Sequence, residues 1–447
     1  MKNNARFIAT KILINIEEKG AFSNIEISKN LKNLENILDE GLIREIVYGV
    51  IQNKVLIDFI ISKYSKIPIN KLTVKVKQIL RIGIYQIVFM DRIPERAACN
   101  ESVKVAKKMC HQGIPGYINA VLRNIIRNKS SLIPDYKEYN RVDYLNLKYS
   151  HPKWLIEHFI KEFGYEFTAD LCEANNSKPK LNIRVNTLKI TRDELIKKLE
   201  EKDINVKSLP YSKDGLVVNN AKRITNLSEF KQGFFSIQDE SSMMVAEIMN
   251  PKPESIVLDV CSAPGGKTCH LAQKMNNKGK IISRDIYEHK LSLINKAAKR
   301  LEIDIIETQL IDALTLDENM IFKVDYCLVD APCSGLGLLR RKPEIRWRLS
   351  MEDINNLSHL QYKILTNASK YVRLNGILLY STCTISKKEN FDVVSRFLEA
   401  NTNYELLPFE EDICVKLGIQ NNIGYTQLYP NVHGTDGFFI AKFRKIK

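Results

Sequence analysis

Ile256-Val257-Leu258-Asp259-Val260-Cys261-Ser262-Ala263-Pro264-Gly265-Gly266-Lys267-Thr268 is the stretch that decides how this chain folds. An apolar run ends in an aspartate, a loop of small residues follows, and Cys269-His270-Leu271-Ala272 continues as a helix. Strand, tight loop and helix in that order form the first unit of a nucleotide-type α/β sheet. Two common phosphate loops fail here. A P-loop needs a glycine five residues before Gly266, where Cys261 stands, and a dinucleotide loop needs GxGxxG, which is absent.

Downstream, short apolar runs alternate with helical stretches. The runs are Gly279 to Ile282, Ile303 to Ile306, Val324 to Val329, Gly376 to Tyr380 and, last, Gly437 to Phe443. This rhythm predicts an α/β, Rossmann-like domain over 235–447, with a mostly parallel twisted sheet and helices on both faces. Ligands of such sheets sit at the carboxyl ends of the strands. Asp285 follows the second run, Asp312 the third, and Asp330 closes the fourth. Small residues let a backbone approach a ligand closely, a helix N-terminus favours a carboxylate, and acids at strand ends accept from ribose and adenine. The pattern suits S-adenosyl-L-methionine, with Cys261 in contact and Asp285, Asp312 and Asp330 lining the same crevice.

The chain has nine cysteines, with no CxxC pair. A zinc site or disulfide framework is not expected, and a reducing cytoplasm is. Most of these cysteines read as small buried apolar residues, Cys327 within its apolar run above all. Two do not. Asp330-Ala331-Pro332-Cys333-Ser334 follows the fourth run and Ser381-Thr382-Cys383-Thr384 the fifth. Placed at neighbouring strand ends, both thiols face one crevice. Covalent pyrimidine chemistry asks for such a pair, because a thiolate added at C6 makes C5 nucleophilic enough to take a methyl group.

Residues 1–130 are expected to be all-helical. Ile8, Ile12 and Ile16 recur at four-residue steps, and Leu80, Ile84, Ile87 and Ile118, Val121, Leu122, Ile125 repeat the pattern. This segment holds 22 Lys+Arg against 11 Asp+Glu, a surplus of 11, while the other 317 residues carry the remaining 4 of the net +15. That surplus favours a phosphate-bearing partner. Residues 131–150, with Pro134, read as a linker. Residues 151–234 read as a small α/β RNA-binding module: a helix capped within Ser150 to Trp154 and running through Phe163, a strand at Leu181 to Asn186, a helix opened by Thr191 with Glu194 as its capping-box partner and running through Leu199, and the apolar run Leu216 to Val218. No run of about eighteen apolar residues exists, so no membrane span or export signal is expected. Arg340-Arg341-Lys342 and Arg346-Trp347-Arg348 leave two readings open: a basic, aromatic lip for an extruded nucleotide, or a loop with Trp347 packed inward.

The loop 259–268 and the two cysteine motifs resemble the Sun-type RNA cytosine-5 methyltransferase family, and the likeness runs over essentially the whole chain. Ser262 departs from it, standing where the family usually has alanine. The resemblance implies that Cys383 attacks C6, that Cys333 assists release, that Asp330 supports the pyrimidine ring, and that Cys261, Ser262, Ala263, Pro264, Gly265, Gly266 and Lys267 with Asp285, Asp312 and Asp330 hold the cofactor. Ile43 to Val50 and Gly116 to Arg123 resemble a NusB-like RNA-binding domain. That order of domains is similar to bacterial enzymes acting on 16S ribosomal RNA, which implies 16S rRNA as partner, without metal or membrane. Nothing demands a second chain, and a monomer is expected. A transfer RNA cytosine-5 methyltransferase and a non-catalytic RNA-binding or ribosome assembly factor are the alternatives.

Overall fold

The computed structural model describes residues 4–31, 37–132, 137, 139–221 and 223–447. Pro134 and residues 1–3 lie outside them. The chain forms two compact units: residues 1–177 with 339–348, and residues 178–338 with 349–447.

The first unit is helical. Its helices Ala5–Lys19, Lys54–Tyr64 and Ile114–Arg127 pack around Val74–Phe89, which is buried on all sides over most of its length, and Ile12, Ile57, Leu80, Ile84, Ile118, Leu122 and Ile125 join in one core. Where the sequence reading has a plain linker, Arg141–Tyr149 is a helix, capped by Asn140 and packed through Leu145. Helices Lys153–Phe163 and Tyr165–Asn176 complete the unit.

The segment 339–348 also belongs to this unit. Arg346 is fully buried and donates to Asn176 Oδ1 at 2.9 Å and to the carbonyls of Ser150 and Tyr149 at 3.2 and 3.3 Å. Burial lowers its guanidinium pKa to about 10. Glu344 accepts from both N and Oγ of Ser23 at 2.9 Å, and Trp347 Nε1 donates to Ile51 O at 3.2 Å. The inward reading of this loop holds for Arg346 and Trp347: carbonyls at a helix end, which lack partners within the helix, attract the guanidinium, so these side chains are not a free lip for a nucleotide.

The second unit carries two sheets. Strands β1 (Leu181–Val185), β2 (Asn205–Ser208), β3 (Gly215–Asn219) and β4 (Phe235–Ile237) form an antiparallel sheet in the order β2-β3-β1-β4. The helix Arg192–Glu200 packs Leu195 and Leu199 into the same core, and its Thr191–Glu194 capping box is present. The larger sheet contains β5 (Ile256–Asp259), β6 (Lys280–Asp285), β7 (Ile306–Leu310), β8 (Val324–Asp330), β9 (Val372–Thr382), β10 (Tyr404–Leu406), β11 (Tyr425–Leu428) and β12 (Phe438–Lys445). Its order is β10-β12-β9-β8-β5-β6-β7, with β11 on β12. Strands β9, β8, β5, β6 and β7 are parallel, and β12 runs antiparallel to β9. This is a Rossmann-like sheet. The chain runs outward from β5 to β6 and β7, then returns to β8 and β9 on the other side, so the switch point lies between β5 and β8. Loops after those two strands must face the same crevice.

Candidate active site

The β5 loop ends in an uncapped helix. Gly265 takes φ +96°, and a Cβ there would press on Ile294 at 3.2 Å. The helix Gly266–Lys274 starts with no side-chain cap, leaving its first amides for another partner. Ser262 explains itself: its N and Oγ both donate to Arg284 O, at 2.9 and 2.8 Å, which ties the loop to the end of β6. From β1, Arg184 Nη1 donates to Gly266 O at 2.7 Å, a support that sequence reading missed because it lies 82 residues away.

Lys267 reaches back from this helix to Asp330 at the end of β8, Nζ to Oδ2 2.7 Å. Burial disfavours the ammonium, but Asp330 and the Cys383 sulfur favour it more, and its pKa is raised. Asp330 also accepts from Ser381 Oγ at 2.9 Å, linking β8 to β9. Asp259, which the sequence reading left out of the site, is buried; Thr268 Oγ1 donates to its Oδ2 at 2.7 Å, while Oδ1 has no hydrogen-bond partner. Desolvation pushes its carboxyl up to about 7. A buried acid beside a lysine at a strand end was detectable only as the last residue of an apolar run.

The two cysteine motifs meet. Cys333 Sγ and Cys383 Sγ are 3.2 Å apart, and neither is in a disulfide. The hydrogen bond with Cys383 and then burial push the Cys333 thiol well above its ordinary value. The loops touch at the backbone too. Gly337 N–H donates to Cys383 O at 3.1 Å, Gly437 N–H donates to Gly337 O at 2.9 Å, and a Cβ on Gly337 would lie 1.9 Å from Gly437 O. Behind them Glu389, fully buried, accepts from Ser334, Gln361 and Thr384. Cys327 is buried in β8, and Cys269 is buried in the loop helix.

The remaining two acids differ in exposure. Asp285 Oδ1 accepts from Tyr287 N–H at 3.1 Å, and Asp312, exposed, accepts from Leu314 N–H at 2.9 Å to close the turn after β7. Asp285 is the better buried of the two.

Residues 246–444 match the family described as 16S rRNA methyltransferase RsmB/F. Residues 3–127 match the NusB family, and 151–225 the ferredoxin-like domain of RsmF/B-like methyltransferases. "Probable ribosomal RNA small subunit methyltransferase B" of Bacillus subtilis (strain 168) is 36% identical over 448 residues, 99% of each chain. This chain belongs to the RsmB/F methyltransferase family. The RsmB/F relative from Shewanella oneidensis, ribosomal RNA small subunit methyltransferase B, is 30% identical over 99% of each chain. Among solved structures, that of PH0851 superposes over all of both chains with TM-score 0.84 at 28% identity. NSun6 from Pyrococcus horikoshii with SFG superposes with TM-score 0.59 at 26% identity, covering 66% of this chain and 98% of that one. Membership of RsmB/F, with relatives so named, supports an rRNA methyltransferase. No described helix is long and apolar enough to cross a membrane.

Proposed function

We propose that the protein transfers a methyl group from S-adenosyl-L-methionine to C5 of a cytosine in 16S rRNA, through a covalent bond between Cys383 and C6 of the base. The contact of the two sulfurs at 3.2 Å, beside the Lys267–Asp330 pair, carries this reading. The site suits the cofactor: an uncapped helix N-terminus attracts its carboxylate, Lys267 adds positive charge, and the buried Asp259 Oδ1 still needs a donor. NSun6, a structural neighbour, was solved with SFG, an adenosylmethionine analogue.

Bound there, S-adenosylmethionine supplies an electrophilic methyl group. The chain's residues do the rest. Cys333 keeps its proton, and its sulfur lies against Cys383, the thiol that reacts as the thiolate. That thiolate adds to C6, and C5 becomes the nucleophile. Asp330, oriented by Lys267 and Ser381, faces the ring as hydrogen-bond partner for N3. Cys333 then serves the removal of the C5 proton. The family and its relatives support reading the NusB-like helical domain as an RNA-binding part and 16S rRNA as the acceptor.

The test is methyl transfer from labelled cofactor to an unmethylated 16S rRNA transcript, with a tRNA transcript beside it. Label is expected in 5-methylcytidine of the rRNA; label confined to a purine, or to the tRNA, overturns the assignment. Cys383→Ala is expected to give neither product nor adduct, and Cys333→Ala to trap an RNA–protein adduct on a denaturing gel.

A further inference from the structure

We propose that Glu389 is a positioning residue for product release, bracketing Cys333 from both sides so that its sulfur stays beside Cys383, while attack by Cys383 depends mainly on other contacts. This rests on the covalent reading above.

The bracket is asymmetric. Glu389 Oε1 accepts from Ser334 N–H at 2.8 Å and from Gln361 Nε2 at 3.1 Å. The same Gln361 Nε2 donates to Pro332 O at 2.9 Å. The neighbours of Cys333 on both sides are thus tied to one glutamine–glutamate pair. Glu389 Oε2 accepts from Ser334 Oγ at 2.5 Å, with Ser334 Oγ and Thr384 Oγ1 2.8 Å apart. On the Cys383 side the carboxylate makes one longer bond, from Thr384 Oγ1 at 3.2 Å. Cys383 has its own holds: the end of β9, Gly337 N–H on its carbonyl, and Asn390 Nδ2 on Thr384 O at 3.0 Å. The Glu389 backbone is in turn held by the Tyr380 hydroxyl, which donates to its carbonyl at 2.6 Å.

Four donors converge on the two oxygens, and none of them is replaceable by an acceptor without loss. A glutamine in this place brings an NH2 against two donors, so Glu389→Gln breaks half of the bracket at nearly constant volume. Burial raises the carboxyl's pKa against those hydrogen bonds, and its charge helps keep the proton on Cys333. Release breaks the C5–H bond, whose electron pair becomes the C5=C6 double bond. The C6–S bond breaks with its pair returning to Cys383. The C5 proton goes to the Cys333 thiolate, which forms by loss of its proton to solvent once Cys383 is bonded to C6 and its hydrogen bond no longer holds that proton on Cys333. The step fails if Cys333 swings away, although C6 has already been attacked and C5 methylated.

Single-turnover and multiple-turnover reactions on the 16S rRNA transcript with S-adenosylmethionine separate the steps. Glu389→Gln is expected to keep single-turnover methyl transfer within a few-fold of wild type, to lose at least tenfold in multiple turnover, and to accumulate a methylated RNA adduct as Cys333→Ala does. Wild-type turnover without adduct overturns the proposal. So does a folded variant that loses methyl transfer with no adduct. If Glu389→Gln does not fold by circular dichroism, Ser334→Ala, which removes one bond of the bracket, carries the test: slowed release supports the proposal and release at the wild-type rate overturns it. An adduct with Cys333→Ala and none with Glu389→Gln sinks the positioning role alone; no adduct with either refutes the covalent reading and this role with it.

Discussion

Lys267 and Asp330 share their charges across the crevice, 2.7 Å apart on two different elements. Replacing Lys267 with Met keeps the stem and removes the ammonium. Methyl transfer is expected to fall at least about 100-fold, as loss of a charged group at a reacting base commonly does, with a smaller change in melting temperature. Initial rates and a thermal melt check both. Away from the crevice, His270 is buried on the loop helix, with Nε2 3.3 Å from Asp214 Oδ2, and Lys274 lies 2.7 Å from the same oxygen. Burial lowers the His270 pKa to about 3. An unfolded histidine takes up a proton near pH 6.5 and the folded one does not, so the stability contributed by neutral His270 is complete above that pH and falls as the pH drops. Between pH 6.5 and 5 the loss is about 2 kcal/mol. His270→Gln keeps a donor for Asp214 and is expected to remove this part of the acid sensitivity in melts from pH 7 to 5. Burial alone raises Asp214, but His270 and Lys274 outweigh it and hold its carboxyl well below the usual range, so it stays ionised over that interval.

At the scale of elements, the crevice is built by loops that follow adjacent parallel strands, and their spacing depends on backbone contacts. Gly337 is the tightest. A methyl group there collides with the carbonyl of Gly437, so Gly337→Ala must displace either the loop after β8 or the start of β12. Overpacking of this kind costs about 1–3 kcal/mol. Because Gly337 N–H also holds Cys383 O, activity is expected to fall further than stability: at least tenfold in rate, read beside the thermal melt. The capping box at Thr191 offers a contrast. Thr191→Ala is expected to cost about 1 kcal/mol in denaturant unfolding and to leave the rate unchanged, since that helix end is exposed and its helix packs into the core of the smaller sheet.

Over the whole molecule, charge is divided unequally between the units. Lys104, Lys107 and Lys108 are exposed on one helix of the basic NusB-family domain. If they meet phosphates, changing all three to Ala lowers affinity for the rRNA transcript and reduces the slope of log affinity against log salt by about 2 to 3. Filter binding from 50 to 300 mM salt reads the slope; an unchanged slope places the RNA elsewhere. Local pattern by itself determined much of this protein. Period-four apolar residues marked the helical unit, and apolar runs separated by helices marked the parallel sheet, because burial on one or both faces leaves its period in the residue order. The short strands β10 and β11 and the helix Arg141–Tyr149 escaped notice, since elements of so few residues carry too little period. The cysteine motifs, Lys267 and Asp330 were visible as residue types at strand ends. Only the tertiary structure decided which of them touch, that Arg346 and Trp347 turn into the helical core, and that Arg184, Asp259 and Glu389 stand behind the site. Contacts between residues fifty or more positions apart depend on strand order and loop path, and neither is written in any local stretch of the chain.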